Sequence, residues 1–329
     1  MAGKRRRWRS MGEKRIEKVS IVNEKYECFD VCKCSNYHTL LHIALGEKKV
    51  FYRKLFDFFF SDEKLLRYVE HKTTLHFKPT KENYTSLYLH LQMYLDQENI
   101  EKRVDELSEI VKEVLIDEEE IEEKDGILYV RKDKIGKIGE YIFSCILYDY
   151  YEFDCIIPKI LLTTDPNMNV YGIDVLFYSA KKDLLMFGES KFCRNLDNGI
   201  KLIKESLNDY EKQLRQEYVC VLSKRLYKNL FNKFGEIYGE ELTKSISMDE
   251  FIQNAGIKKI GIPVFIAHGT ELNPEIIINK LKTLKLDKVL GQEVALIVIS
   301  LPVIDKRECI AYFTEYIRER LDEYNEKHK

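Results

Sequence analysis

Beyond Tyr37, apolar side chains recur three and four positions apart. Leu40, Leu41, Ala44 and Leu45, then Phe51, Leu55 and Phe58, have the spacing that predicts buried helices. The segments Glu63 to Val69, Ser86 to Leu95 and Ile100 to Ile116 continue the pattern. Ahead of them, RIEKVSIV and the stretch from Tyr26 to Val31 read as short strands. Residues 1–117 are therefore expected to form a helix-rich region with room for partner docking. The acidic run DEEEIEEKDG, Asp117 to Gly126, reads as a solvated connector between two folding units.

After that run the grammar changes. GILYVRK predicts a strand, and GKIGEYIFSCILYDYY, from Gly136 to Tyr151, predicts an apolar helix opened by glycines. Three β-rich runs follow, IIPKILLT, GIDVLFY and LLMFGESKF, separated by turn signals at Asp165-Pro166-Asn167 and Ala180 to Asp183. Next comes an amphipathic helix with Ile200, Ile203, Leu207, Tyr210 and Leu214 on one stripe. Beyond a helical insertion lie two buried strands, IPVFIA from Ile262 and VALIVISLPV from Val294. A last helix carries Ile310, Phe313, Ile317, Leu321 and Tyr324. Residues 118–329 are expected to form an α/β unit, its core starting near Glu123.

Composition narrows this. The 45% hydrophobic content supports a sizeable core, and 6 Pro with 15 Gly leave most of the chain in regular structure. Lys plus Arg number 53 against 55 Asp plus Glu, a net charge of -2, which argues against a broadly basic nucleic-acid coat. Any phosphate site must be a local cluster or be lent by a partner. KRRRWR, at Lys4 to Arg9, reads either as an electrostatic arm for nucleic acid or as an extension ahead of an alternative start at Met11. No apolar signal region follows it, and Val294 to Val303 is far shorter than the roughly 20 residues of a membrane helix, so a cytoplasmic protein without a membrane partner is expected. The eight Cys are scattered, several in apolar runs, and are expected to be reduced thiols. No GxxxxGK[ST] phosphate loop is present, so this chain is no ATP-driven motor.

The informative constellation is GID, Gly172 to Asp174, followed by GESK, Gly188 to Lys191. On a strand Glu189 and Lys191 share a face while Ser190 points to the other. Asp174, on the preceding strand candidate, would bring a second carboxylate alongside. Hard oxygen ligands on adjacent strands are what Mg²⁺ asks for, and a neighbouring lysine orients water and steadies charge at a phosphate. Glu140, in the first turn of the apolar helix, completes the metal site or is simply a helix N-terminal charge. The plain alternative for Glu189 and Lys191 is a surface ion pair, with Asp174 as a strand-end cap. The apolar neighbours LLMF and VLFY favour central strands, where charges are kept for function.

A helix with an acidic residue, a strand with Asp, a strand with Glu-x-Lys and then a helix resemble the core of the PD-(D/E)xK nuclease superfamily, here Glu140, Asp174, Glu189 and Lys191. Ile173 stands where the short form of the motif has proline. The wider text, KIGEYIFSCIL, NVYGIDVLFY and LLMFGESKF, resembles the HamA family, nuclease subunits of Hachiman anti-phage defence systems. The likeness implies a restriction-endonuclease-like α/β fold and metal-dependent hydrolysis of DNA with Mg²⁺ or Mn²⁺. It implies a superfamily 2 helicase partner, HamB-like, that restrains the nuclease. Asp174 and Glu189 would bind the metal with the Ser190 carbonyl, Lys191 would position water, and Glu140 would assist. The rival reading is a non-catalytic adaptor that keeps the nuclease fold to bind and gate a helicase.

Three further groups have bland and sharp readings. Cys28, Cys32, Cys34, His38 and His42 suggest zinc, but they lack a C-x₂-C knuckle, and His42 ahead of Ile-Ala-Leu reads as a core histidine. His268 in IAHG is expected to serve structure at a loop. Lys201, Lys204 and Gln213 lie after GESK as a solvated face or as phosphate contacts. The aromatics Phe51, Tyr52, Phe56, Phe58, Phe59, Phe60 and Tyr94 are core, with a share left for an interface.

Overall fold

The computed structural model describes residues 20–44, 46–73, 76–96, 99–132, 135–158, 175–179, 184–222 and 233–326. The chain opens with strands β1 (Val22–Tyr26), β2 (Phe29–Cys34) and β3 (Tyr37–His42), then helices α1 (Lys48–Phe59), α2 (Asp62–Thr73) and α3 (Lys81–Asp96). Strand β4 (Asn99–Arg103), helix α4 (Glu109–Asp117) and strands β5 (Ile121–Lys124) and β6 (Ile127–Lys132) follow. Next come α5 (Ile135–Asp149), β7 (Asp154–Pro158), β8 (Val175–Ser179), β9 (Leu184–Cys193), α6 (Leu196–Asn208) and α7 (Tyr210–Leu222). The rest is α8 (Lys233–Thr243), α9 (Met248–Asn254), β10 (Lys259–His268), α10 (Pro274–Leu281), β11 (Lys288–Val289), β12 (Gln292–Pro302) and α11 (Lys306–Glu326).

Among the described residues one mixed sheet runs β1-β2-β3-β12-β10-β9-β8-β7, with β11 beside β12. Its middle is parallel: β3 with β12, β12 with β10, and β10 with β9. Strands buried on both faces must be apolar throughout, and β10 is buried from Ile260 to His268. One face, with Leu184, Met186, Phe192, Phe265, Ala267 and Ile299, packs against α1, α5 and α11. The other, with Leu185, Phe187, Ile262, Val264, Ile266 and Val298, packs against α6, α7, α9 and α10. Helix α6 lies so close to β10 that a Cβ on Gly199 would come within 2.4 Å of the Ile266 side chain. Helix α5, the antiparallel strands β7, β8 and β9, helix α6 and the parallel strand β10 follow one another in the order expected of the PD-(D/E)xK core. A mixed sheet between helical layers is consistent with that architecture.

Two expectations fail here. Leu40 and Leu41 belong to strand β3, not to a helix; each faces one side of the sheet, and a short apolar run buried on both faces carries no period. Ala44 lies in the turn after β3, and Leu45 is outside the described residues. Likewise Ile100 lies in β4, and the helix begins only at Glu109, where Ser108 accepts a hydrogen bond from the Val111 N–H. Strands from before and after Asp117 meet twice, as β3 pairs with β12 and β4 pairs with β6.

The acidic run departs furthest from its solvated reading. Both Glu118 carboxylate oxygens accept from the Arg194 N–H at 2.9 Å, just past β9, and one accepts from the Asn198 side chain at 2.8 Å. The Lys306 ammonium, at the start of α11, reaches Glu118 at 3.2 Å and also pairs with Glu120. Asp117 accepts from Asn195 at 3.0 Å and Asn198 at 2.6 Å, and Glu119 pairs with Arg194 and Arg307. Glu118 and Lys306 side chains are 2% and 4% exposed. Their partners come from 76 and 188 residues away in sequence, so no local pattern announces them. Asp117 and Glu119 keep to the surface, and past the clasp Asp125 and Gly126, both at positive φ, turn β5 into β6.

Removing Glu118 leaves Lys306 to Glu120 alone and takes a buried acceptor from the Arg194 N–H and the Asn198 side chain, a loss of about 1–3 kcal/mol. Glu118→Ala is expected to lose that much unfolding free energy in urea. Addition of Lys306→Met should restore part of it, and strict additivity of the two changes would refute the coupling.

Candidate active site

Strand β9 enters the core apolar and leaves it charged. Leu185 and Phe187 join the α6 side of the sheet; two and four residues on, Glu189 and Lys191 project on that side. Glu189 is 4% exposed. The Lys191 ammonium pairs with the Glu189 carboxylate. On β10, Val264 stands opposite Glu189 and Ile266 opposite Lys191. Ser190 is buried on the other face, along with Phe192.

The backbone around these residues is held from both ends. Pairing of β9 to β10 lapses opposite Ile262 and Pro263, and proline has no N–H to give. In that stretch the Phe187 carbonyl accepts instead from the buried Tyr210 hydroxyl at 2.6 Å. At the other end the Glu118 carboxylate holds the Arg194 N–H. Sequence reading placed Tyr210 on an apolar stripe and missed this bond, as it missed Glu118, Lys306 and Asn198. Pro263 inside an otherwise buried strand was the one available signal.

The other site residues are placed unevenly. Glu140 lies in the second turn of α5, because the helix starts at Ile135, so the expected first-turn dipole gain is absent. It is paired with Lys137 at 2.9 Å. Helix α5 covers the Ser190 and Phe192 face, where a Cβ on Gly139 would stand 3.4 Å from the Phe192 Cβ. Asp174, with Gly172 and Ile173, lies outside the described residues. On the described side, Val175 of β8 pairs with Gly188 of β9. Lys201 is exposed and paired with Glu113 at 2.7 Å, Lys204 is exposed, and Gln213 is half-buried.

Among the described residues no three His, Cys, Asp or Glu gather closely enough to hold a metal ion. Cys28, Cys32 and Cys34 are free thiols, and burial pushes Cys28 up to about 11. His38 donates from Nε2 to the Ser35 carbonyl at 3.1 Å and accepts at Nδ1 from the Tyr151 hydroxyl. His42 is a core residue, its Nδ1 accepting from the Ala44 N–H at 3.0 Å and its ring packed edge-on against Phe29 and Phe51. His268 is fully buried rather than loop-facing. Its Nδ1 donates to the Gly269 carbonyl at 3.1 Å, so Nε2 accepts from the Ser300 hydroxyl at 3.2 Å. Ser300 in turn accepts from Thr39 at 2.9 Å, which joins β10, β12 and β3 by a buried polar chain. The chemistry the site strand offers is a buried carboxylate beside an ammonium, on a strand anchored at both ends.

The model of the family described as HamA matches residues 49–317 of the 329. No curated protein and no solved structure matches the chain.

Burial holds His42 and His268 down at about 4, well below the ordinary histidine value of about 6.5. A depressed histidine leaves the unfolded chain binding more protons, so stability is full above about pH 6.5 and is lost as pH falls towards about 4. Each histidine contributes up to about 1.4 kcal/mol per pH unit in that window. His42→Leu should flatten the profile relative to wild type. Parallel urea midpoints for the two proteins from pH 7 to 4 would contradict it.

Proposed function

The chain belongs to the HamA family, and on that premise we propose that it is a metal-dependent DNA nuclease, the effector of an anti-phage complex with a superfamily 2 helicase of the HamB kind. The observation that carries the reading is the buried Glu189 paired with the half-buried Lys191 on the third strand of a helix, three-strand, helix, strand unit. Surface ion pairs are worth little and need no such placement. Among the described residues no helix is long and apolar enough to cross a membrane, which suits a chain working on DNA with a protein partner.

The donor set fits a hard cation. Glu189 offers carboxylate oxygen on a central strand. Asp174 is the next residue before Val175, as Glu189 is the next after its pairing partner Gly188. Mg²⁺ or Mn²⁺ held by Asp174, Glu189 and the Ser190 carbonyl would polarise the scissile phosphate and lower the pKa of a bound water. Lys191 then orients the attacking water and sets a positive charge beside the phosphate where negative charge builds up. Rigid anchoring of β9 by Tyr210 and Glu118 keeps that ammonium aimed, the condition for positioning to lower a barrier. The near-neutral chain lacks a broad field for DNA, so the helicase delivers the strand.

Lys191→Ala and Glu189→Gln should each lower cleavage by at least about 10²-fold and leave circular dichroism unchanged. Single-stranded, nicked and supercoiled DNA with Mg²⁺ or Mn²⁺, with and without the helicase, is the assay. Full phage protection by the double variant would instead establish the non-catalytic adaptor. Asp174→Asn should weaken Mg²⁺ binding in calorimetry, and unchanged affinity would remove Asp174 from the ligand set.

A further inference from the structure

Away from β9, the N-terminal ends of α2 and α3 and the last turns of α11 border an open cavity of about 340 Å³, lined by Asp62, Lys81, Tyr84, Arg320, Glu323 and Tyr324. That volume is at the lower end of the roughly 300–1,000 Å³ of small-ligand pockets. Its lining is neutral, with two cations against two carboxylates, but the bonds are shared unevenly. Arg320 pairs with Asp62 and with Glu323, each at 2.8 Å. Asp62 also accepts from the Tyr88 hydroxyl at 2.9 Å and from Tyr324. The Lys81 ammonium is shut off from solvent and has no hydrogen-bond partner among the described residues.

A buried ammonium without an acceptor is expensive, and folded chains rarely keep one unless it is paired. Lys81 is the first residue of α3, where a cation also faces the wrong end of the helix dipole, so helix stability does not explain it. The missing group is an acceptor, and both wall carboxylates are already committed to Arg320. The rings of Tyr84 and Tyr324, with centroids 6.1 Å apart, supply aromatic surface of the kind on which bases stack.

We propose that this cavity binds a nucleoside phosphate, with the Lys81 ammonium on the phosphate and the two tyrosines against the base. The ligand is either a free mononucleotide or the phosphorylated end of a nucleic acid strand. The site shares no residue with the proposed nuclease centre and stands apart from it.

The test is calorimetry on the full chain in EDTA, where metal-dependent cleavage is silent. The probes are 5′-dAMP, inorganic phosphate, and a short single-stranded oligonucleotide with or without a 5′-phosphate. Wild type and Lys191→Ala should bind dAMP or the phosphorylated oligonucleotide equally well, and the tighter of the two identifies the source. Lys81→Met should weaken that binding at least about tenfold, and Lys81→Arg should retain it. Lys81→Met removes a buried charge, so its ligand-free melting temperature should equal or exceed that of wild type, which separates lost binding from lost fold. Equal binding by Lys81→Met, equal binding of the oligonucleotide without its phosphate, or heats from inorganic phosphate alone, an adventitious ion only, would each overturn the proposal.

Discussion

Burial of β10 on both faces and along both edges governs this molecule. From Ile260 to His268 the strand meets β9 on one side, β12 on the other and helices above and below. A strand so enclosed forces its neighbours to be apolar where they touch it, and any polar group that enters must bring its own partner. An unsatisfied one costs about 1–3 kcal/mol. The polar residues near β10 therefore come in sets: Glu189 with Lys191, and Thr39 with Ser300 and His268. Grouping of polar side chains follows from the enclosure itself, and charge that survives in such a place is held in one geometry.

Strand β9 is where the sheet changes hand, parallel to β10 and antiparallel to β8. Its backbone is fixed by two bonds from outside the ladder, Tyr210 to the Phe187 carbonyl and Glu118 to the Arg194 N–H, which bracket Glu189 and Lys191. The Glu118 and Lys306 pair gives little net stability against an apolar replacement, since desolvation offsets the attraction. What it supplies is position. A carboxylate that must satisfy Arg194, Asn198 and Lys306 together tolerates one arrangement of three chain segments.

Legibility in the sequence followed the range of the interactions. Helix α5, strands β9, β10 and β12 and helix α11 each announce themselves within about a dozen residues, and the structure has them, whereas the single stripe from Ile200 to Leu214 is split at Asp209 between α6 and α7. Glu189 beside Lys191 was readable because strand alternation is local. Leu40 and Leu41 misled because a strand buried on both faces has no period to distinguish it from a helix. Glu118 and Glu120 misled more deeply. A run of acids is solvated unless distant groups neutralise it, and Arg194, Asn198 and Lys306 are visible only after folding. Tyr210 was read as apolar because its ring is, although its hydroxyl does the work that Pro263 cannot.

The surface around α6 completes the picture for a chain of net charge -2. Lys201 is engaged with Glu113, Lys280 with Asp197, Arg215 with Asp249 and Arg307 with Glu119. All are substantially exposed pairs, worth about 0–1 kcal/mol each and weakened further by salt. A phosphate backbone can exchange into such pairs at small loss, whereas Lys306, closed in with Glu118, is beyond its reach. Near-neutrality is thus compatible with local phosphate contact, since the cations are masked by weak partners. The same masking leaves the resting chain without a broad positive field, so any attraction of this surface for an anion acts only at short range.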